Sequence, residues 1–145
     1  MKKSLLFIII NIFFLQTSYA SSTKYGYGDL NLSDFVVDNF IRYVKGGHSE
    51  APYLFAVSAD GKQFNYYVCP AGLNNCGGGD ERILEECDSY SRKDGGKGNC
   101  RIFARLRTIK WDNGINTGKG KKSKINSKLS EKEIFARLTE LGFLG

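Results

Sequence analysis

Histidine is nearly absent from this 145-residue chain, which holds one, His48. That argues against a histidine-rich metal site, and no metal ligand set is read here. Cysteine is limited to four residues, and no two of them form a C-x-x-C pair. Neither a zinc ribbon nor a thioredoxin-like motif fits that spacing. Without C-x-x-C-H, covalent haem is excluded as well. Two prolines, and 17 glycines without a three-residue period, exclude collagen-like and proline-rich classes. No segment repeats, which excludes solenoids and propellers. No apolar run reaches the roughly 20 residues that a membrane-spanning helix needs. None of these patterns implies a cofactor.

What is present describes an ordinary folded chain. Apolar residues make up 41% and charged residues 25%, and the length suits one domain. Residues 1–20, MKKSLLFIIINIFFLQTSYA, have a basic start, an apolar stretch from Leu5 to Leu15 and a small-x-small end at Ser18-Tyr19-Ala20. This is the pattern of a secretory signal peptide cut after Ala20. It predicts a periplasmic or secreted protein with no transmembrane anchor after cleavage.

Export determines how the cysteines are read. Cys69, Cys76, Cys87 and Cys100 all lie in the expected mature part. In an oxidising compartment they should be paired. Three connectivities are open. The nearest-neighbour set, Cys69 with Cys76 and Cys87 with Cys100, is favoured because short separations close most easily.

Residues 21–31 are polar and read as an unpaired leader. Ser33 then caps a helix over FVVDNFIRYVKGG, with Leu32 positioned to staple against Val37. The runs YLFAVS and QFNYYVC flank Asp60-Gly61, a strong hairpin signal. Asp80 caps a second helix, ERILEECDSYSRK, and the segment 100–111, CRIFARLRTIKW, reads as one strand. The expected domain therefore spans 32–111. It is an α+β fold, a small two-layer sandwich with a three-stranded antiparallel sheet of order 2-1-3 and helices on one face. Residues 112–129 read as a basic Gly/Lys/Asn-rich linker. Residues 130–145 form a C-terminal helix opened by a capping box, Ser130 with Glu133. So short a helix must dock, on its own domain or on another molecule. Docking on a partner would leave residues 129–145 dispensable for the fold.

Leu84-Glu85-Glu86-Cys87 followed by Cys100-Arg101-Ile102-Phe103-Ala104 resembles a small module of exported Gram-negative bacterial proteins. In that module a hairpin precedes a helix with L-x-x-C and a strand beginning C-[RK]-[IVL]-[FY]-A. The resemblance covers residues 52–111. It implies a strand-strand-helix-strand fold and a helix-to-strand disulfide. The family has no known function, so no catalytic residue is implied. Cys69 and Cys76 lie outside its pattern.

Charge is divided along the chain. Residues 21–100 hold 8 Lys and Arg against 11 Asp and Glu, whereas residues 101–145 hold 11 against 4. Alternation in the third strand places Arg101, Phe103, Arg105 and Arg107 on one face, and Trp111, Lys119, Lys121 and Lys122 continue the basic track. Cations interleaved with aromatics on a flat face suit an anionic polymer, single-stranded nucleic acid, anionic lipid or another cell-envelope surface, or a protein partner. A solvated charged tail is the plainer reading. Asp80-Glu81 and Glu85-Glu86 belong to a charged helix face. Gly118 to Ser123 misses the nucleotide-binding P-loop spacing, so no nucleotide partner is implied. The expected function is a small exported binding or accessory module. The alternative is a small secreted hydrolase or toxin-like enzyme using His48.

Overall fold

The computed structural model describes residues 24–47, 50–70, 72–73, 76–77 and 79–145. Residues 1–20, where a signal peptide is expected, and His48 lie outside them. The elements run α1 (Asp34–Lys45), β1 (Glu50–Val57), β2 (Phe64–Pro70), α2 (Asp80–Lys93), β3 (Arg101–Arg105), β4 (Thr108–Ile109) and α3 (Glu131–Glu140). The fold is a small α+β domain whose four strands form one antiparallel sheet of order β2-β1-β3-β4.

α1 forms where the sequence signals it. Ser33 is the N-cap and its side chain accepts from the Val36 N–H at 3.4 Å. Val36, Val37, Phe40, Ile41, Tyr43 and Val44 are buried along it. Asp34 opens the helix and Lys45 ends it, each suited to its end of the dipole. The Asp60-Gly61 turn joins β1 to β2 as expected. Ser58 N–H donates to the Gln63 carbonyl at 2.9 Å, and the Ser58 hydroxyl donates to Asp60 Oδ1 at 2.6 Å. Gly61 has φ +70°, and a Cβ there would lie 1.9 Å from the Asn31 carbonyl oxygen. Glycine is therefore required by sterics on two counts.

Four expectations are corrected. First, the helices do not share one face. Phe55, Val57, Phe103 and Ala104 pack with α1 and α3, while Leu54, Ala56 and Ile102 pack with α2. Residues Leu54–Val57 of β1 are all buried, so this strand needs cover on both sides. Second, residues 100–111 are not one strand. The chain turns at Leu106-Arg107, and β4 runs back along β3. Third, Asp80 is the first residue of α2 rather than its cap. Gly79 is the N-cap and offers no side-chain bond.

Fourth, the segment from residue 24 is not an unpaired leader. Ile102 N–H donates to the Lys24 carbonyl at 2.8 Å, and Gly26 N–H donates back to the Ile102 carbonyl at 3.1 Å. Asp112 and Gly28 continue the pattern. The Trp111 ring lies where a Gly26 side chain would stand, 1.9 Å from the position of its Cβ. Trp111 Nε1–H also donates to the Gly28 carbonyl at 2.8 Å. Gly26→Ala is expected to cost about 1–3 kcal/mol, the usual range for overpacking. The check is a lower urea midpoint with an unchanged m-value.

The linker and the C-terminal helix both belong to the domain. Asn116 and Ser123 are buried and hydrogen-bonded to each other at 2.7 Å, and Asn116 Nδ2 donates to the Trp111 carbonyl at 2.6 Å. Ile125 is fully buried. α3 keeps its expected capping box, Ser130 with Glu133. It ends in a Schellman motif: Phe143 N–H donates to Leu138 O at 3.0 Å and Gly142 N–H to Thr139 O at 2.9 Å. Ile134, Leu138, Leu141 and Phe143 enter the same core as α1. The helix therefore docks on its own chain.

Candidate functional site

The disulfides pair Cys69 with Cys76 and Cys87 with Cys100, with Cα atoms 5.9 and 6.0 Å apart. No cysteine is free. Among the described residues no cluster of His, Cys, Asp and Glu could hold a metal ion, and no helix is long and apolar enough to cross a membrane.

The track expected along residues 101–111 is broken up by two local features. Phe55 pairs with Ala104 and Ala56 with Ile102, so Phe103 is an extra residue in a β-bulge. It turns inward, fully buried, edge-on to Phe40 and Phe143. The turn at Leu106-Arg107 then separates the two arginines around it. Arg105 reaches the α2 side, where its Nη2 pairs with Asp80 Oδ2 at 2.5 Å. Its Nε–H donates to the Tyr25 hydroxyl at 3.2 Å, and its guanidinium lies 5.3 Å from the Tyr53 ring centre. Burial works against that charge, but hydrogen bonds to Tyr25, Asp80 and Tyr53 outweigh it and hold the pKa above the ordinary arginine value. Arg107 reaches the α1 side, where its Nε–H donates to the Val44 carbonyl at 2.8 Å. That is a cation on the last turn of a helix, a favourable dipole contact.

The expected shared face of Arg101, Phe103, Arg105 and Arg107 therefore does not exist. Arg101 is half-buried, and its Nη1–H donates to the Cys100 carbonyl at 3.2 Å. Phe103 and Trp111 are core residues, not presented to a partner. Lys122 is exposed and pairs with Glu140 at 2.5 Å. Lys119 is exposed too, at the start of the loop that ends at Lys124.

The structure brings together a different set. Arg107, Lys121 and Lys124 line one open depression of about 540 Å³ with Ile125, Asn126 and Ser127. No acidic side chain is among the described residues lining it. The segment that carries the lysines is laid along β4. Ile109 N–H donates to the Ser123 carbonyl at 2.8 Å, and Ile125 N–H donates to the Arg107 carbonyl at 2.7 Å. Ser123 and Ile125 are buried between the exposed Lys122, Lys124 and Asn126. This is strand-like alternation, and it pins the Lys124 backbone next to Arg107. Of this group, Arg107 and Lys121 carried the sequence signal. Lys124 stood among the tail lysines without a reason to single it out.

The hydrolase alternative rests on His48, which lies outside the described residues. The chain matches no family model, no curated protein and no solved structure.

Proposed function

We propose that the protein is an exported, disulfide-stapled binding module that holds a polyanionic ligand at the Arg107–Lys121–Lys124 depression. One observation carries the reading: three cations line a common recess that has no acidic lining residue among those described. Like charges gathered on one side of a small domain raise the potential there and draw in a polyanion. The backbone bonds from Ile109 and Ile125 limit the ordering required of the lysine-bearing loop on binding. Export is supported by the leader pattern of residues 1–20 and by the fully paired cysteines.

Retention on a sulfated-polysaccharide column tests the proposal. The wild-type chain is expected to elute at raised salt, because binding neutralises fixed charges and releases counterions. Lys121→Glu with Lys124→Glu reverses two exposed charges and should abolish retention. Both residues are exposed, so the unfolding free energy should stay within about 0.5 kcal/mol of wild type. Elution of the folded double variant at the wild-type salt concentration would overturn the reading.

A further inference from the structure

The turn beside this depression is built against local preference. Arg105 pairs with Thr108, so Leu106 and Arg107 are the two central residues of a tight hairpin. Of these two only Leu106 has a positive φ, +52°. That is the pattern of a type II′ turn, whose first central position glycine ordinarily fills. A leucine there is strained by its Cβ. It also receives little from packing, because 58% of its surface is exposed. Two long-range bonds hold the strained unit in place. Leu106 N–H donates to the Tyr53 carbonyl at 2.8 Å, and the buried Tyr43 hydroxyl donates to the Leu106 carbonyl at 2.7 Å. Burial pushes the Tyr43 phenol up from its ordinary pKa, so it remains a donor through the physiological range. The surrounding structure therefore imposes a conformation that stability alone would assign to glycine. Such outliers occur at binding sites.

We infer that the Leu106-Arg107 turn is a contact tip for the surface of an anionic phospholipid membrane. This rests on the reading of the depression as a polyanion site and names its ligand. The apolar tip adjoins Arg107, which lines the depression together with Lys121 and Lys124. Guanidinium and ammonium groups suit lipid phosphates, while an exposed leucine suits the boundary between headgroup and acyl chain. A purely hydrophilic polyanion would engage the cations and leave Leu106 without a role. Single-stranded nucleic acid fits less well. No aromatic ring is among the described residues lining the depression, and base stacking needs one.

The experiment is co-sedimentation of the mature chain with phosphatidylcholine vesicles, with and without phosphatidylglycerol. Binding is expected only where phosphatidylglycerol is present, and should weaken with salt. Leu106→Gly should lower the partition coefficient about tenfold or more, the effect of withdrawing one leucine from an apolar environment. It should leave column retention unchanged and should not lower the unfolding midpoint, since glycine accepts the turn without strain. Leu106→Asn also tolerates positive φ and repeats the test if the glycine variant loosens the turn. The double Lys→Glu variant should lose both vesicles and column. Wild-type chain held by the column but not by anionic vesicles, or a Leu106 variant that binds vesicles like wild type, overturns the membrane inference and leaves the polyanion reading standing. Retention by neither support overturns both.

Discussion

A chain ending at Leu129 will not fold. Removing residues 130–145 strips Ile134, Leu138, Leu141 and Phe143 from the main core, where each is at most 3% exposed. Truncating one such buried side chain to alanine typically costs 2–5 kcal/mol. Four together come to roughly 8–20 kcal/mol, as large as the roughly 5–15 kcal/mol that holds a whole domain. The deletion also uncovers Phe103, whose ring meets Phe143 at 5.0 Å, and leaves the Leu32 N–H without the Phe143 carbonyl it reaches at 2.9 Å. The expected readout is loss of near-ultraviolet circular dichroism and of a cooperative urea transition. Phe143→Ala is the milder form. It should fold, with stability lowered by about 3–5 kcal/mol. A truncated chain that kept a cooperative transition would show that α3 is an appendage rather than a core element.

This outcome separates what the sequence displays from what it conceals. α1, α3 and the Asp60-Gly61 hairpin are legible because their causes are local. Ser33 and Ser130 cap the helix next to them, and a turn needing positive φ selects glycine within its own few residues. The cysteine pairing is legible because chain closure favours short separations. The Phe103 bulge is not legible. One extra residue shifts the faces of everything after it, so alternation counted through residue 103 misplaces Arg105 relative to Phe103, and the turn at Leu106-Arg107 then parts Arg105 from Arg107. In the fold they reach opposite helices. The cover of both sheet faces had a visible trace in the unbroken apolar run Leu54–Val57, which suits a strand buried on both sides. The pairing of residues 24–28 with β3 and Asp112 depends on a contact more than 80 positions away, the Trp111 ring over Gly26. A glycine among polar residues looks like a loop until that ring is placed. The same applies to the depression. Arg107 and the lysines are visible as charge, but the buried Asn116–Ser123 bond that folds their loop back has no periodicity to reveal it.

The two disulfides should differ in what they hold, although both close short loops. Cys87 and Cys100 are almost fully buried and belong to the second core, with Leu54, Ala56, Ile83 and Ile102. Their bond ties α2 to the start of β3 across a sequence separation of 13. The Cys100 N–H is also held by Asp88 Oδ1 at 2.6 Å, a second tie between the same two elements. Loop closure of this size contributes about 3 kcal/mol in the chain-entropy model. Replacing both cysteines by alanine adds the loss of two buried sulfurs from a well-packed cluster. The expected total for Cys87→Ala with Cys100→Ala is about 3–5 kcal/mol, enough to bring a small domain close to its unfolding threshold at 37 °C. Cys69 and Cys76 are only half-buried and span a separation of 7. Their bond fastens the end of β2, an edge strand, to the loop before α2. The shorter loop and the weaker packing both predict a smaller loss for Cys69→Ala with Cys76→Ala. Urea midpoints of the two double variants, measured side by side, give the comparison. Equal shifts would mean that the second core does not depend on its sulfur bridge, and that the α2 layer is held by Ile83 and the Asp80–Arg105 pair instead.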